Sequence, residues 1–269
     1  MSQAVSLAVY ARYWRLNLLT MVEYRANFLM WFGFTIVYHA SALVALWVTL
    51  RQFPSMNGWT FREMAFLYAL WMLAHEIHNT FFFTVGDVPT YIREGRFDRF
   101  LVRPLDTLFQ LITVPQQIWP DGLILALLTF CVATPYSGVH VDATFVTMIP
   151  PTVIGGALID LGISLAIATV AFWTIRVDAL RWAIMSLEQE FTRYPISIYS
   201  RGVRLALSFV FPFAFMNYFP ATFFLHKAET GLSLSPQAGL LTPVVGLGWL
   251  AVSYAFWRFG LQHYQGTGS

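Results

Sequence analysis

Three ionisable side chains, His75, Glu76 and His78, lie close together inside a long apolar stretch. Imidazole and carboxylate groups can ligate a metal ion or move a proton, and charged groups within a membrane usually face the protein interior or water. His75 and His78 are three positions apart, so they can share one face of a helix. The sequence is one residue short of the HExxH zinc motif, and no third ligand is evident. A polar pathway lining or an interhelical hydrogen-bonded pair is therefore preferred to a metal site.

A second charged group, Glu188, Glu190 and Arg193, interrupts a later apolar segment. Two interpretations stay open: the carboxylates line a substrate or proton pathway, or they pair with Arg193 and hold helices together. Asp121 and Asp160 also lie in apolar stretches and are predicted to be structural. The predicted translocation pathway consists of His75, Glu76, His78, Glu188 and Glu190.

Sequence motifs for catalysis or ATP hydrolysis do not occur in this chain. A phosphate-binding loop needs a lysine after glycine, whereas the only lysine, Lys227, follows His226. No GxSxG sequence is present, and Cys131, the only cysteine, excludes an intrachain disulfide and a cysteine-rich metal site. We therefore predict no catalytic residue, no metal and no cofactor in this chain.

The composition is that of a membrane protein. Hydrophobic residues make up 57% of the 269 residues and charged residues only 11%, whereas soluble domains are about a quarter charged. Mean hydropathy is +0.59. The net charge of +2 is too small to argue for nucleic-acid binding. The chain is therefore expected to form a bundle with several spans in the lipid bilayer.

The densest charged segment is 86–105, GDVPTYIREGRFDRFLVRPL, between two long apolar runs. Asp87 is expected to cap a short helix with Pro89 in its first turn, and Gly95 to end it. The segment also contains large apolar side chains that a solvated loop does not need. This mixture predicts a docking surface for a partner, made by Arg93, Glu94, Gly95, Arg96, Phe97, Asp98, Arg99 and Phe100.

Apolar runs of about 20 residues, the length that crosses a bilayer, divide the chain into a single all-α transmembrane domain, 1–269. The predicted segments are an amphipathic interfacial helix at 1–27, spans at 28–50, 61–85, 108–132, 146–174, 183–200 and 240–259, a loop at 86–107 and a further segment at 201–239. Pro115 and Pro120 predict a kink in the third span. The fifth span is open between 183–200 and 205–225, and the distribution of basic residues slightly favours the latter. The same distribution places both termini and the charged loop in the cytoplasm.

One motif carries a resemblance to a known family. Gly95-Arg96-Phe97-Asp98-Arg99, then Leu101, then Arg103-Pro104-Leu105 resembles the G-x-x-D-x-x-L-x-R-P-L loop of permease subunits of ABC-2-type exporters. It is most similar to the bacterial branch whose permeases are separate from the ATPase. Phe211-Pro212-Phe213 and Tyr218-Phe219-Pro220-Ala221 support the resemblance.

The resemblance implies six spans, both termini inside, and a place in the bacterial cytoplasmic (inner) membrane. It also implies two copies of a separate ATP-binding subunit, which would carry ATP and Mg, and a second permease, identical or homologous. The 86–107 loop would be the coupling loop on the ATPase, with Phe97 and Phe100 filling a groove and Arg96 and Arg99 pairing with acids around it. On this analogy 183–200 is the fifth span, and 201–239 is external and partly re-entrant.

Three functions are compared. The leading hypothesis is the permease half of an ATP-driven exporter. The alternative is a proton-coupled secondary transporter that uses the intramembrane Glu and His residues, although no inverted repeat is visible. A membrane-embedded lipid enzyme would lack a recognisable nucleophile or metal triad. Copurification of an ATPase subunit separates the first from the other two.

Overall fold

The computed structural model describes residue 19 and residues 23–53, 55–113, 120–174, 176–228, 232 and 234–264. Within these residues the regular elements are helices, and the sole β-type pairing is an isolated bridge between Met56 and Trp59. The all-α class is therefore confirmed. Most of the predicted interfacial helix at 1–27 lies outside the described residues.

The helices follow one another in the order in which the apolar runs occur. They are α1 (Arg25–Gln52), α2 (Phe61–Phe82), α3 (Val88–Arg93), α4 (Asp98–Leu101), α5 (Thr107–Thr113), α6 (Asp121–Ser137), α7 (Ala143–Val170), α8 (Asp178–Thr192), α9 (Arg201–Leu205), α10 (Tyr218–Phe224) and α11 (Thr242–His263). Short 3₁₀ turns lie at Phe83–Asp87, Ile196–Ile198, Pro212–Phe215 and Pro236–Leu241, and a π turn at Ala206–Val210.

Three described helical segments, Arg25–Gln52, Ala143–Val170 and Pro236–His263, are long and apolar enough to cross a membrane. A fourth is added if the bent pair Arg201–Val210 and Pro212–Phe224 counts as one span. These segments support a multi-pass membrane protein. The count of six spans stays a prediction.

Helix α7 is the centre of the bundle. In its most apolar window 72% of the residues are buried inside the chain, against 17% for α1. Its contact with α11 depends on glycine, because a Cβ on Gly246 would lie 2.3 Å from the Gly155 carbonyl oxygen. Small residues let two helix backbones approach this closely. The apolar surface of α1, in contrast, is left facing outward.

Neither candidate for the fifth span is a single straight helix. Helix α8 ends at Thr192, before Pro195, because a residue that precedes proline disfavours the helical conformation. The predicted span 183–200 is thus not one continuous helix. The segment 205–225 bends by 73° at Phe211, whose backbone is extended before Pro212. The segment is therefore broken at this point, and its position relative to the bilayer stays a prediction.

The third predicted span is divided between two helices. Helix α5 covers its beginning and α6 its main part, with Asp121 as the first residue of α6. Residues 114–119 lie outside the described part of the chain, so the expected kink at Pro115 does too. Pro120 precedes α6 and occupies its N-cap position.

Candidate functional site

Helices α2, α7 and α8 bring three ionisable side chains together in the interior. His75 Nδ1 lies 2.7 Å from Asp160 Oδ2 and 3.1 Å from Glu188 Oε1. All three side chains are buried, and Glu188 is only 2% exposed. We call these three residues and His78 the buried polar cluster. It joins three helices through groups that are costly to bury alone.

Aromatic packing and one hydrogen bond support the cluster. The Trp71 indole Nε1 donates to Glu188 Oε1 over 2.8 Å, and its ring stacks on His75 with centroids 4.9 Å apart. His78 is also buried, one turn further along α2, with Nδ1 3.4 Å from Asp160 Oδ2. Among the described residues neither ring nitrogen of His78 has a hydrogen-bond partner.

The structure separates the predicted pathway residues into three groups. His75, His78 and Glu188 belong to the buried polar cluster. Glu76 instead faces His39 of α1, with Oε1 3.5 Å from His39 Nε2. Glu190 is exposed and pairs with Arg193 at 3.3 Å. The structure thus separates the two α8 acids: Glu188 points inward, and Glu190 makes the arginine pair. A role of Glu188 in a pathway stays a prediction.

A large cavity lies beside the cluster. It has a volume of about 800 Å³ and is lined by aromatic side chains of α1 and α2 and by polar groups, among them His75, Glu76 and Asp121. Asp121 accepts a hydrogen bond from Thr35 of α1 over 2.6 Å. His75 and Asn79 also line a second, smaller cavity of about 40 Å³, which His78, Asp160 and Glu188 complete. His75 thus lies between the two spaces.

The charged loop folds as two short helices around a glycine. Helix α3 ends at Arg93, and Gly95 has a φ of +64°, which favours glycine. Gly95 ends the helix as predicted. Asp87 occupies the N-cap position and Pro89 the first turn, but the Asp87 side chain makes no capping hydrogen bond. Burial raises the pKa of the Asp87 carboxyl, and the nearby guanidinium of Arg181 opposes this rise.

The two phenylalanines of the loop point into the chain. Phe97 is 0% and Phe100 2% exposed. The Phe97 ring packs on Phe172, Trp257 and Tyr264, with centroids 5.1–6.1 Å apart. The expectation that these rings fill a groove on a partner is corrected here, because a fully buried side chain has no surface to offer. Apolar burial keeps them in the core of their own chain instead.

The exposed face of the loop consists of other residues. Leu101, Val102 and Leu105 are exposed, and Val102 is 82% exposed. Arg99 and Arg103 are exposed on the same short stretch. Exposed apolar side chains rimmed by charges are typical of protein interaction surfaces. We call Arg99, Leu101, Val102, Arg103 and Leu105 the loop face.

Side-chain contacts fasten the loop to α8. Arg93 Nη1 donates to Asp178 Oδ2 over 2.5 Å, and Arg181 Nη1 donates to the Gly86 carbonyl over 2.8 Å. Asp178 is the first residue of α8, and Glu188 lies nearer its other end. One helix therefore contacts both the charged loop and the buried polar cluster.

Further contacts fasten the loop to the C-terminal end of the chain. Tyr264 Oη donates to Asp98 Oδ1 over 2.9 Å, and Tyr254 Oη to Asp106 Oδ2 over 2.6 Å. Burial and the hydrogen bond to Asp98 raise the pKa of Tyr264 to about 12. Gln110 Nε2 donates to the carbonyls of Phe100 and Leu105, and these two hydrogen bonds connect the loop to α5.

Sequence reasoning missed several of these residues. Asp160 was predicted to be structural, and its hydrogen bond to His75, 85 residues away in the sequence, was not predicted. Trp71 and Tyr264 were not assigned a role at the site or the loop. One local feature could have indicated a role for Asp160: it is a single carboxylate in an otherwise apolar, glycine-rich helix. A carboxylate in such a helix needs a polar partner.

Comparison with known proteins gives one family. A family model described as "ABC-2 family transporter protein" matches residues 36–268, which is most of the chain. Comparison with curated proteins and with solved structures gives no match.

Proposed function

The chain belongs to the ABC-2 family of transporter proteins and is a membrane permease, and we propose that it forms half of the translocation pathway of an ATP-driven exporter. A separate ATP-binding subunit, in two copies, would bind ATP and Mg, and a second permease, identical or homologous, would complete the pathway. We place both termini in the cytoplasm and the complex in the bacterial inner membrane. The distribution of basic residues supports this orientation.

One observation carries the coupling part of this proposal: α8 contacts the charged loop at one end and the buried polar cluster near the other. The contacts are Arg93 with Asp178 at the loop and Glu188 with His75 in the cluster. A rigid helix of 15 residues can transmit a displacement along its length, because it moves as a unit. A shift of the loop on the ATPase would thus change the cavity next to the cluster.

The docking surface that we propose is the loop face together with the outer charged groups Arg93, Glu94, Arg96 and Asp98. Val102 and Leu105 would supply the apolar contact, since both are exposed and Arg103 lies between them in the sequence. Arginines mainly set the orientation and the rate of association. Phe97, Phe100 and Gly95 would act indirectly, by fixing the shape of the loop.

The large cavity is the proposed substrate route within this half of the transporter. Its lining combines Trp31, Phe34, Tyr38 and Trp71 with a few polar groups, the usual composition of a site for a partly apolar small molecule. Glu76 and Asp121 lie on its wall. Helix α1 forms one wall of the cavity, and its outward apolar surface would meet lipid or the second permease.

Copurification tests the proposal directly. The tagged chain is purified from its native membrane in mild detergent, and ATP hydrolysis in the eluate is measured while bound chains are identified by mass spectrometry. The expected result is a bound chain with a phosphate-binding loop and ATPase activity that follows it. Val102→Asp should remove both, whereas Phe53→Asp, at an exposed apolar position on the predicted external side, should not. Absence of any ATP-binding chain from the wild-type eluate would refute the proposal.

The buried polar cluster favours one second candidate, a proton-coupled secondary transporter. His75, Asp160 and Glu188 are protonatable and line the small cavity, and His75 also lines the large one. Intramembrane groups of this kind occur in proton pathways. Transport by inverted vesicles that depends on a pH gradient, and that continues without ATP, would favour this function over the ATP-driven one.

A further inference from the structure

We propose that His75, Asp160 and Glu188, completed by His78, bind one divalent transition-metal ion of the Zn²⁺ class. The ligand atoms of the first three residues all lie within 4.8 Å of one another. The ion would hold α2, α7 and α8 together around their shared polar centre, whatever the partner or the energy source of the transporter.

The distances suit a small metal ion. Zinc binds imidazole nitrogen and carboxylate oxygen at about 2.0–2.2 Å, so ligand atoms of a tetrahedral site are about 3.3 Å apart. In the cluster the corresponding separations are 2.7 Å for His75 to Asp160, 3.1 Å for His75 to Glu188 and 3.4 Å for His78 to Asp160. The His75, Asp160 and Glu188 ligand atoms are thus close enough to surround one ion, and the His78 ring, whose centroid is 6.4 Å from that of His75, would turn toward it.

The charge of the cluster also favours a dication. Two buried carboxylates face His75, and one of them, Asp160, also faces His78. A proton on His75 alone would leave one negative charge uncompensated. Arg181 lines the adjoining small cavity, but its Nη1 is hydrogen-bonded to the Gly86 carbonyl. A divalent ion with neutral imidazoles would neutralise both Asp160 and Glu188, and a buried charge is expensive unless it is compensated.

His78 provides a second, independent observation. It is 6% exposed, it lines the same small cavity as the other three residues, and both its nitrogens lack a hydrogen bond among the described residues. A buried polar group without a partner costs free energy, and a metal ion would supply one. The cavity of about 40 Å³ has room for an ion, since a water needs only about 10–15 Å³.

The ligand types select the class of metal. Two imidazoles with two carboxylates suit Zn²⁺ and similar transition metals, whereas Ca²⁺ and Mg²⁺ prefer oxygen ligands alone. The indole of Trp71, which donates to Glu188, would orient this carboxylate in the way that outer hydrogen bonds orient metal ligands. Each of the three helices would contribute at least one ligand, so the ion would cross-link them.

The test measures metal bound to the full chain in detergent. The exposed His140, His226 and His263 are first replaced by Gln to remove surface binding. The protein is stripped with a chelator and loaded with Zn²⁺, free ion is removed by gel filtration, and bound zinc is measured by mass spectrometry. We expect one zinc per chain and a higher unfolding temperature. No retained zinc in this background would overturn the proposal, since the cluster then holds only protons.

Two buried variants and a matched control locate the ion. Glu188→Gln and His78→Gln should each weaken zinc affinity by at least about tenfold. Removal of a residue that merely orients a metal ligand already causes a loss of this size, and these two residues are proposed as ligands. Glu190→Gln, two positions along the same helix but exposed, should bind zinc like the parent. His78 makes no hydrogen bond to lose, so His78→Gln is informative even if Glu188→Gln does not fold. Unchanged affinity in His78→Gln or in a folded Glu188→Gln would refute the site.

Discussion

The charged loop and the helical core are arranged in opposite ways. In the loop the aromatic rings Phe97 and Phe100 point inward, and the arginines point outward. In the core, α2, α7 and α8 turn carboxylates and imidazoles inward, while α1 presents large apolar side chains outward. The first arrangement suits water and the second suits lipid.

This contrast indicates what each region can do. Charges on the loop cost little and remain available to another protein, whereas charges in the core are costly and are kept by specific partners. The loop is therefore the place to expect docking, and the core is the place to expect binding of an ion, a proton or a substrate. Helix α8 contacts both regions, so the two functions can be coupled.

The largest effect is expected in the core. Asp160→Asn should lower the free energy of unfolding by about 3–5 kcal/mol, because it removes the carboxylate that the buried His75 contacts at 2.7 Å. Thermal unfolding in detergent measures this loss. The exposed control Glu190→Gln should change stability by no more than about 0.5 kcal/mol. Equal stability of Asp160→Asn and the parent would show that the buried pair is not stabilising.

A slightly smaller loss is expected beneath the loop. Phe97→Ala should cost about 3 kcal/mol, the lower end for a buried phenylalanine, since the surrounding aromatic rings can partly close the space. Limited proteolysis of the loop should accelerate in this variant. The matched control is Leu101→Ala, an exposed neighbour whose removal should leave proteolysis unchanged. A Phe97→Ala protein that is as resistant as the parent, but binds no ATPase, would instead make Phe97 a direct contact.

The loop face should affect binding and leave folding unchanged. Val102→Asp should weaken association with the ATP-binding subunit by about 2 kcal/mol or more, as expected for an interface anchor. Arg99→Ala should weaken it mainly at low salt, where charges are poorly screened. Binding measured at two salt concentrations distinguishes the two variants. The same salt dependence for both would contradict the division into an apolar centre and a charged rim.

The smallest effect is expected at the turn between the two loop helices. Gly95→Ala places a side chain at a φ of +64°, and no atom would contact the new Cβ within 4 Å, so the cost is conformational alone. It should be about 1–2 kcal/mol. The measurement is the unfolding temperature together with ATPase binding, both of which should fall slightly. A large loss would show that Gly95 contacts a partner closely.

Sequence reasoning located what depends on local pattern. The apolar runs correspond to α1, α2, α7 and α11, and Gly95 marks a helix end because backbone conformation is a local property. It could not join His75 to Asp160 and Glu188, or Phe97 to Trp257 and Tyr264, because these contacts link residues that are far apart in the sequence. The interior direction of Phe97 had no signal in the loop itself, since the same pattern also suits a docking surface.

The central claim is that an ATP-binding subunit changes the cavity through the loop and α8. Gln189 lines the large cavity at the end of α8, so a cysteine placed there, with Cys131→Ser, reports its accessibility. The rate of alkylation is measured in the purified complex without nucleotide and with ATP trapped by vanadate. The account predicts that ATP changes this rate, and that Arg93→Ala, which breaks the contact with Asp178, greatly reduces the change. The same rate with and without ATP in the complex with an intact loop would contradict it.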